Sequence, residues 1–323
     1  MTDQQPKLGQ PLMKDLNGDF ALQLGALEGR VGRTRGEAIK AGLDFLGTCW
    51  QDGTWQDSSS LLPVGSDAWV TSCVLARLAE LSPHYKSHSL QRKIESSLDW
   101  LMRVRTPQGG WGSQSGEDDS NSTAWAIVAL RAHGWSRAVP GPALDFLRRC
   151  RRFDGGFAAS SIDVNSAQPG VAEITAVAVG ALDQLPWATE DFLAGYLLGA
   201  GPAAPGRRTA RFHVCAGILD WRDGLASTWL LNQVGQAAAG LGNEGALDRA
   251  MLLRCLFRLR MQRAWSLAAG LRAMQMEDGS WSEHNDQKII ATVNAVSALA
   301  LGESQPGLYF GSDLPLPRRL HQS

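Results

Sequence analysis

The stretch QDGTW at Gln51–Trp55 returns as PQGGW at Pro107–Trp111, as FDGGF at Phe153–Phe157 and as EDGSW at Glu277–Trp281. A short turn that recurs between similar flanking segments marks a repeat architecture, in which no single unit can bury its apolar face alone. The matching glycines are Gly53, Gly109, Gly155 and Gly279, and the interval between the last two is more than double either of the others. That interval leaves room for two or more units whose turn has diverged. A helix-like segment precedes each turn and another follows it after a polar loop, so the chain reads as a series of helical hairpins.

The two segments of each hairpin differ in composition. Before the turns, Ile39, Leu43, Leu46 and Trp50 fall at i, i+4, i+7 and i+11, and Ile94, Leu98 and Leu101 repeat the spacing with Arg105 in the last place. Lys40, Asp44, Arg92, Lys93 and Glu95 occupy the other face, so these helices are half exposed. After the turns, Trp69–Ala79, Ser122–Leu130, Ile174–Leu182 and Ala291–Leu301 are apolar nearly all round and rich in small residues. That is the pattern of a helix buried on every side. Inner helices ringed by outer ones make an all-α protein, an α/α barrel (toroid) in a single domain; an open solenoid uses the same repeat without closing. The expected layout is an N-terminal arm or first helix over 1–34, the repeat domain over 35–302 and a C-terminal tail over 303–323. GAGPAAPGRRTAR at Gly199–Arg211 reads as a loop.

Composition narrows the function classes. The 323 residues suffice for a large core. The 31 basic side chains balance 32 acidic ones, leaving no net field to draw nucleic acid; arginine clusters at Arg148–Arg152 and Arg254–Arg263 read as solvated helix faces. Cys49, Cys73, Cys150, Cys215 and Cys255 are odd in number and not closely paired, which suits reduced core residues better than a disulfide framework. No apolar run is long enough to span a bilayer and MTDQQPKLGQ lacks a signal-peptide pattern, so a cytoplasmic protein without a transmembrane segment is expected. The chain has no P-loop or Rossmann glycine loop, no GxSxG and no HExxH.

In a ring of inner helices the N-termini collect at one end. Their unpaired N–H groups are partly positive and can hold an anion or stabilise developing negative charge. The residues standing there repeat. SDAWVTS (Ser66–Ser72) and DSNSTAW (Asp119–Trp125) each place an Asp four residues before a Thr, and Glu173 stands two before Thr175. DGLASTW (Asp223–Trp229) and HNDQKIIAT (His284–Thr292) also pair an acid with a Thr. Each acid taken singly is a good N-cap; convergence on one rim would make a site. Of the twelve tryptophans, Trp55, Trp111 and Trp281 belong to the turns and would clamp neighbouring hairpins. Trp69, Trp125 and Trp229 stand near the rim, where they either pack or line an apolar pocket and stabilise a cation.

These turns resemble the QW-type repeats of squalene–hopene cyclases, class II terpene cyclases and protein prenyltransferase β subunits, all α/α barrels, over roughly Ala38 to Leu301. DSNSTAW lines up with the Asp-x-Asp-Asp-Thr-Ala stretch that carries the catalytic acid of class II cyclases. Asp119 takes the first aspartate and Thr123 and Ala124 match, but Asn121 and Ser122 replace the two final aspartates. The middle aspartate is the family's proton donor to an alkene or epoxide, and an amide has no acidic proton to give. Asp118 or Asp119 would then act from the adjacent turn, or Asp67 from the preceding repeat. Alternatively the reaction does not begin by protonation and Asn121 orients the substrate. Asp119 is the favoured acid, one that an apolar cavity would keep protonated.

The resemblance implies an enzyme that cyclises or rearranges a hydrophobic small molecule, isoprenoid or another natural product, in specialised biosynthesis and without a cofactor. Its catalytic candidates are Asp119, Asp118, Asp67 and Glu173; its substrate-binding candidates are Asn121, Trp69, Trp125, Trp229, Asp223 and His284. A non-catalytic barrel that holds a lipid or peptide is the alternative. The prenyltransferase branch would require zinc. The nearest ligand types, His213, Cys215 and His284, lack that family's Asp and read as a core cysteine and two polar histidines, so no metal is expected.

Overall fold

The computed structural model describes residues 33–57, 67–112, 117–160, 162–166, 169–199, 205–221, 224–240, 245–261, 263–282 and 287–302. These form twelve α-helices: α1 (Arg35–Thr48), α2 (Asp67–Ala79), α3 (His88–Arg103), α4 (Ser120–Ala132), α5 (Gly141–Arg149), α6 (Ala172–Leu182), α7 (Trp187–Gly199), α8 (Pro205–Leu219), α9 (Thr228–Gly240), α10 (Ala246–Arg258), α11 (Ala264–Ala273) and α12 (Lys288–Leu301). Among the described residues β pairing is confined to two isolated bridges at the repeated turns, Gln51 with Thr54 and Arg151 with Phe157. No helix among them is long and apolar enough to cross a membrane.

The even-numbered helices are the inner layer. Each packs on the next even one, and α12 packs on α2, so the ring closes into a barrel rather than an open solenoid. The odd-numbered helices lie outside: α1 on α12, α3 on α2, α5 between α4 and α6, α7 on α6, α9 on α8 and α10, α11 on α10. Burial follows the composition. Outer α3 buries Leu90, Ile94, Leu98 and Leu101 along one side, whereas every residue of inner α12 from Ile289 to Ala300 is buried.

Each repeated turn sits at the N-terminal end of an inner helix and is tied there by the recurring threonine. The backbone N–H groups of Trp55, Trp111, Phe157 and Trp281 donate to the hydroxyls of Thr71, Thr123, Thr175 and Thr292 at 2.9–3.0 Å. The indole N–H groups of Trp55, Trp111 and Trp281, all fully buried, donate back to Leu46, Leu101 and Leu271 in the last turns of α1, α3 and α11. One short segment thus staples the outer helix of a hairpin to its inner helix.

The turn glycines adopt positive φ, and two of them also permit close approach. A Cβ on Gly155 would stand 2.1 Å from the Ala188 carbonyl oxygen of α7, and one on Gly279 would stand 2.4 Å from that of Ala41 in α1. Each turn therefore docks on the next outer helix, and the last docks on the first. The closure is completed by Asp57, whose carboxylate accepts from the N–H groups of Ile289 and Ile290 at 2.9 and 2.8 Å and so caps α12 from the first turn.

Two expectations change and one holds. Gly199–Arg211 is not one long loop, because α8 begins at Pro205; proline is favoured at a first helical position, where its missing N–H is not needed. The long interval between Gly155 and Gly279 holds the hairpins α7/α8 and α9/α10, whose connections, 200–204 and 241–244, lie outside the described residues. The arginine clusters are not simply solvated. Arg152 is buried and donates to the carbonyls of Asp163, Val164 and Ser166, and Arg254 lies inside the barrel. The N-terminal helix expected before residue 33 and the tail after residue 302 fall outside the described residues.

Candidate functional site

At the N-terminal rim the carboxylates serve the local fold. Asp119 is the N-cap of α4: it accepts from the Ser122 N–H at 2.7 Å and from the Ser122 hydroxyl at 2.8 Å. Asp118 accepts from the Thr106 hydroxyl and from the Gly110 N–H, holding the PQGGW turn. Asp67 is the first residue of α2. Asp223 and His284 lie outside the described residues. Trp229 stands on α9, an outer helix, and is 46% exposed, so it is not a rim residue of the lumen. Its segment resembled an inner start because Ser227 caps it, the Ser227 hydroxyl accepting from the Leu230 N–H at 3.1 Å.

Four of the expected residues share the lumen-facing stripes. On α4, Asn121, Trp125, Val128 and Ala132 fall at i, i+4, i+7 and i+11 and are less buried than their neighbours. On α6 the stripe is Glu173, Val177 and Gly180, and on α2 it runs from Trp69 through Ala76 to Glu80. The lower members of each stripe line a cavity of about 580 Å³ inside the barrel. Its apolar wall is Trp125, Val128, Ala176, Val177 and Trp221; its polar wall is Arg77, Glu80, Asp220, Arg131, Asp183 and Arg258. The cavity therefore occupies the C-terminal half of the inner ring, whereas the sequence pattern pointed to the N-terminal rim. Among the described residues, Trp125 is the one predicted site residue that lines it. Asn121 stands one helical turn above, on the same stripe.

The polar wall is a buried ionic lattice. Arg254, 1% exposed at its side chain, donates to both carboxylate oxygens of Glu80 at 2.6 and 2.9 Å and to Asp220 at 2.6 Å. Arg77 donates to Glu80 at 3.1 Å, to Asp220 at 2.7 Å and to the Asn294 side-chain carbonyl at 3.1 Å. These contacts cross-link α2, α8, α10 and α12 through the lumen. Burial alone would raise the Glu80 pKa, but the guanidiniums of Arg254 and Arg77 together outweigh it and hold the carboxyl well below the usual range. Arg77 also lies over the Trp125 ring, 5.2 Å from its centroid. None of this was legible as a site beforehand. The one signal was a charge inside an otherwise apolar inner helix, Arg77 in WVTSCVLARLA, and Arg254 in MLLRCLF.

The histidine and cysteine of α8 do not form a pair. Positions two apart on a helix do not share a face. Gly217 and Asp220 line the cavity and His213 continues their stripe, while Cys215 is buried at the packed flank of the helix. Burial pushes the Cys215 thiol up to about 12. Among the described residues no group of three His, Cys, Asp or Glu side chains could hold a metal ion.

No family model matches the chain. A protein from Actinoplanes aligns with a TM-score of 0.65 at 20% identity, over 84% of this chain and all of that one. A variant of the type II terpene cyclase MstE from Scytonema, in complex with its substrate geranylgeranyl dihydroxybenzoate, aligns with a TM-score of 0.63 at 19% identity, over 88% of this chain and 99% of that one. In sequence, 59 residues are 41% identical to drimenyl diphosphate synthase from Streptantibioticus cattleyicolor, a match that spans 18% of this chain and 11% of the synthase. The chain has a terpene-cyclase-like helical barrel fold. The stretch that lines up with the acid-rich one of class II cyclases reads Asp119-Ser-Asn-Ser-Thr123 in this chain.

Proposed function

We propose that this protein is a terpene-cyclase-like enzyme that encloses a hydrophobic substrate, isoprenoid or another natural product, within the barrel and cyclises or rearranges it. The observation that carries the reading is the continuity of the α4 stripe. Trp125 and Val128 line the internal cavity, and Asn121, at the place of the family's proton donor, continues the same face. The fold shared with MstE and the short match to drimenyl diphosphate synthase support it. Trp125 and Trp221 supply aromatic surface to an apolar chain and to a developing cation. Asn121 orients the substrate by hydrogen bonding, and Asp119 is the carboxyl from which an initiating proton would come.

The test is incubation of purified protein with squalene, farnesyl diphosphate, geranylgeranyl diphosphate and geranylgeranyl dihydroxybenzoate, with products followed by mass spectrometry. Turnover of one of them is expected. Asp119→Asn keeps an oxygen to accept from the Ser122 N–H but removes the acid, so it should lower turnover by about a hundredfold or more without unfolding α4. Full activity in that variant would sink the role given to Asp119. Asn121→Asp should weaken turnover, because it adds a charge to the stripe.

A second reading has its own support. Asp118 and Asp119 are both engaged in holding the turn and the helix start, and an amide stands at the donor position. A barrel that binds a lipid or peptide without converting it fits those facts. Saturable binding of the same compounds without any product would favour it.

A further inference from the structure

We propose that His213 is the general base that ends the reaction, taking the proton released when a cyclised cation collapses to an alkene. The assignment rests on the cyclase reading above. His213 lies in the middle of α8, one turn before Gly217, which lines the cavity and lies against Ala176 of α6. One turn is a rise of about 6 Å, so the imidazole stands just above the cavity wall on the lumen stripe His213, Gly217 and Asp220. It forms no hydrogen bond with another described residue.

The other groups that could accept a proton there are already engaged. Glu80 and Asp220 are held by the guanidiniums of Arg77 and Arg254. Asp118 holds the turn, and Asp119, the acid of the first step, stands at the N-terminal rim as the cap of α4. Asn121 is an amide and not a base. Glu173, on the first turn of α6, and Asp183, which lines the cavity at the C-terminal end of α6, are the remaining rivals.

The charge state of the imidazole suits the role. The charged groups that face the lumen are Arg77 on α2, Glu80 just after it, Arg131 on α4, Glu173 and Asp183 at the two ends of α6, Asp220 just after α8, and Arg254 and Arg258 on α10. Burial, with a further push from Arg77, brings the His213 pKa down to about 4, so the ring is neutral near pH 7. A neutral ring does not repel a carbocation, and its nitrogen lone pair is free. In the step itself the C–H bond next to the cationic carbon breaks, its electron pair forms the C=C bond, and the proton moves to the imidazole nitrogen. A carbocation is so strong an acid that the weakened base still accepts its proton. The imidazolium, destabilised by the same burial and by Arg77, then releases the proton to solvent through the cavity.

The experiment compares His213→Gln and His213→Phe with wild type on the four substrates named above, scoring alkene against alcohol and earlier-quenched products per substrate consumed. We expect the alkene fraction to fall at least about tenfold in both variants. Wild-type product ratios in both would overturn the assignment, as would a shift produced by Glu173→Gln and by neither His213 variant. If wild type converts none of the substrates, the cyclase reading falls and this role falls with it; a changed ratio separates the two. As a check independent of folding of the variants, the imidazole resonances of wild type should titrate well below 6.5 and move when N,N-dimethyldodecylamine enters the lumen. A midpoint near 6.5 with no movement would place His213 outside the lumen and overturn the proposal.

Discussion

The two ends of the barrel are held by opposite means. At the N-terminal end four inner helices, α2, α4, α6 and α12, are tied to their own hairpins by contacts close in sequence, with the Asp57 cap of α12 added from the first turn: Trp111 N–H to Thr123 spans 12 residues and Trp281 N–H to Thr292 spans 11. Toward the other end, Arg77 reaches Asp220 across 143 residues, Arg254 reaches Glu80 across 174 and Arg77 reaches Asn294 across 217. The local ties build hairpins that any open solenoid could use. The lattice joins helices from opposite sides of the ring, and it shapes the cavity, because it fills the lumen on the side of α10 and α12 and leaves space beside α4 and α6.

The contrast can be broken most forcefully at Arg254. Arg254→Met leaves the half-buried Glu80 and Asp220 carboxylates under-neutralised and should lower stability by about 3–5 kcal/mol in denaturant unfolding. A loss under about 1 kcal/mol would mean that the lattice does not govern the ring. The acid limb sharpens the same point. The folded pKa of Glu80 is lowered, so its contribution is present above the unfolded value near 4.5 and lost as the pH falls through that region. His213 behaves alike at higher pH, its contribution being lost as the pH falls from about 6.5 toward 4. Glu80→Gln should flatten the lower part of the stability curve and His213→Gln the upper part.

Next in size are the turns. Gly155→Ala must carry a positive φ of 87° and also place a methyl 2.1 Å from the Ala188 carbonyl. Strain alone is about 1–3 kcal/mol, and the clash adds to it. Gly134 has a similar φ but open space around its Cβ, so Gly134→Ala should lose only about 1–2 kcal/mol. Equal losses at the two sites would show that turn docking on α7 contributes nothing. Thr123→Val orphans the buried Trp111 N–H and should lower stability by about 1–3 kcal/mol. The smallest effect belongs to Asp119→Ala, about 1 kcal/mol for a lost cap. Thermal melts of the four variants, run together, give that order directly; a loss at Asp119 larger than at Thr123 would reverse the ranking of cap and turn.

The hairpins and layers were legible because they depend on near neighbours. QDGTW and its kin needed a left-handed glycine and a buried tryptophan, and the all-apolar inner segments excluded exposure. The two hairpins without the turn were harder. Arg254 makes α10 look like an outer helix, although α10 is buried almost throughout. The candidate site was legible only in part. Asn121 and Trp125 fell on the lumen stripe as their alignment suggested, while Trp229 went to the outer layer. The repeated Thr read as part of a polar rim, but Thr71, Thr123, Thr175 and Thr292 each clamp a turn.

Sequence alone determined the all-α repeat, the inner and outer roles of most helices, the turn positions and the replacement of an acid by Asn121. Each follows from spacing within one hairpin, where backbone geometry leaves few choices. Only the tertiary structure decided that the ring closes, that Asp57 caps α12, and that Arg77, Glu80, Asp220 and Arg254 meet inside it. A charge on an apolar helix is equally compatible with solvent and with a buried partner. Which one it finds depends on helices more than a hundred residues away, and only the closed ring brings them within hydrogen-bonding distance.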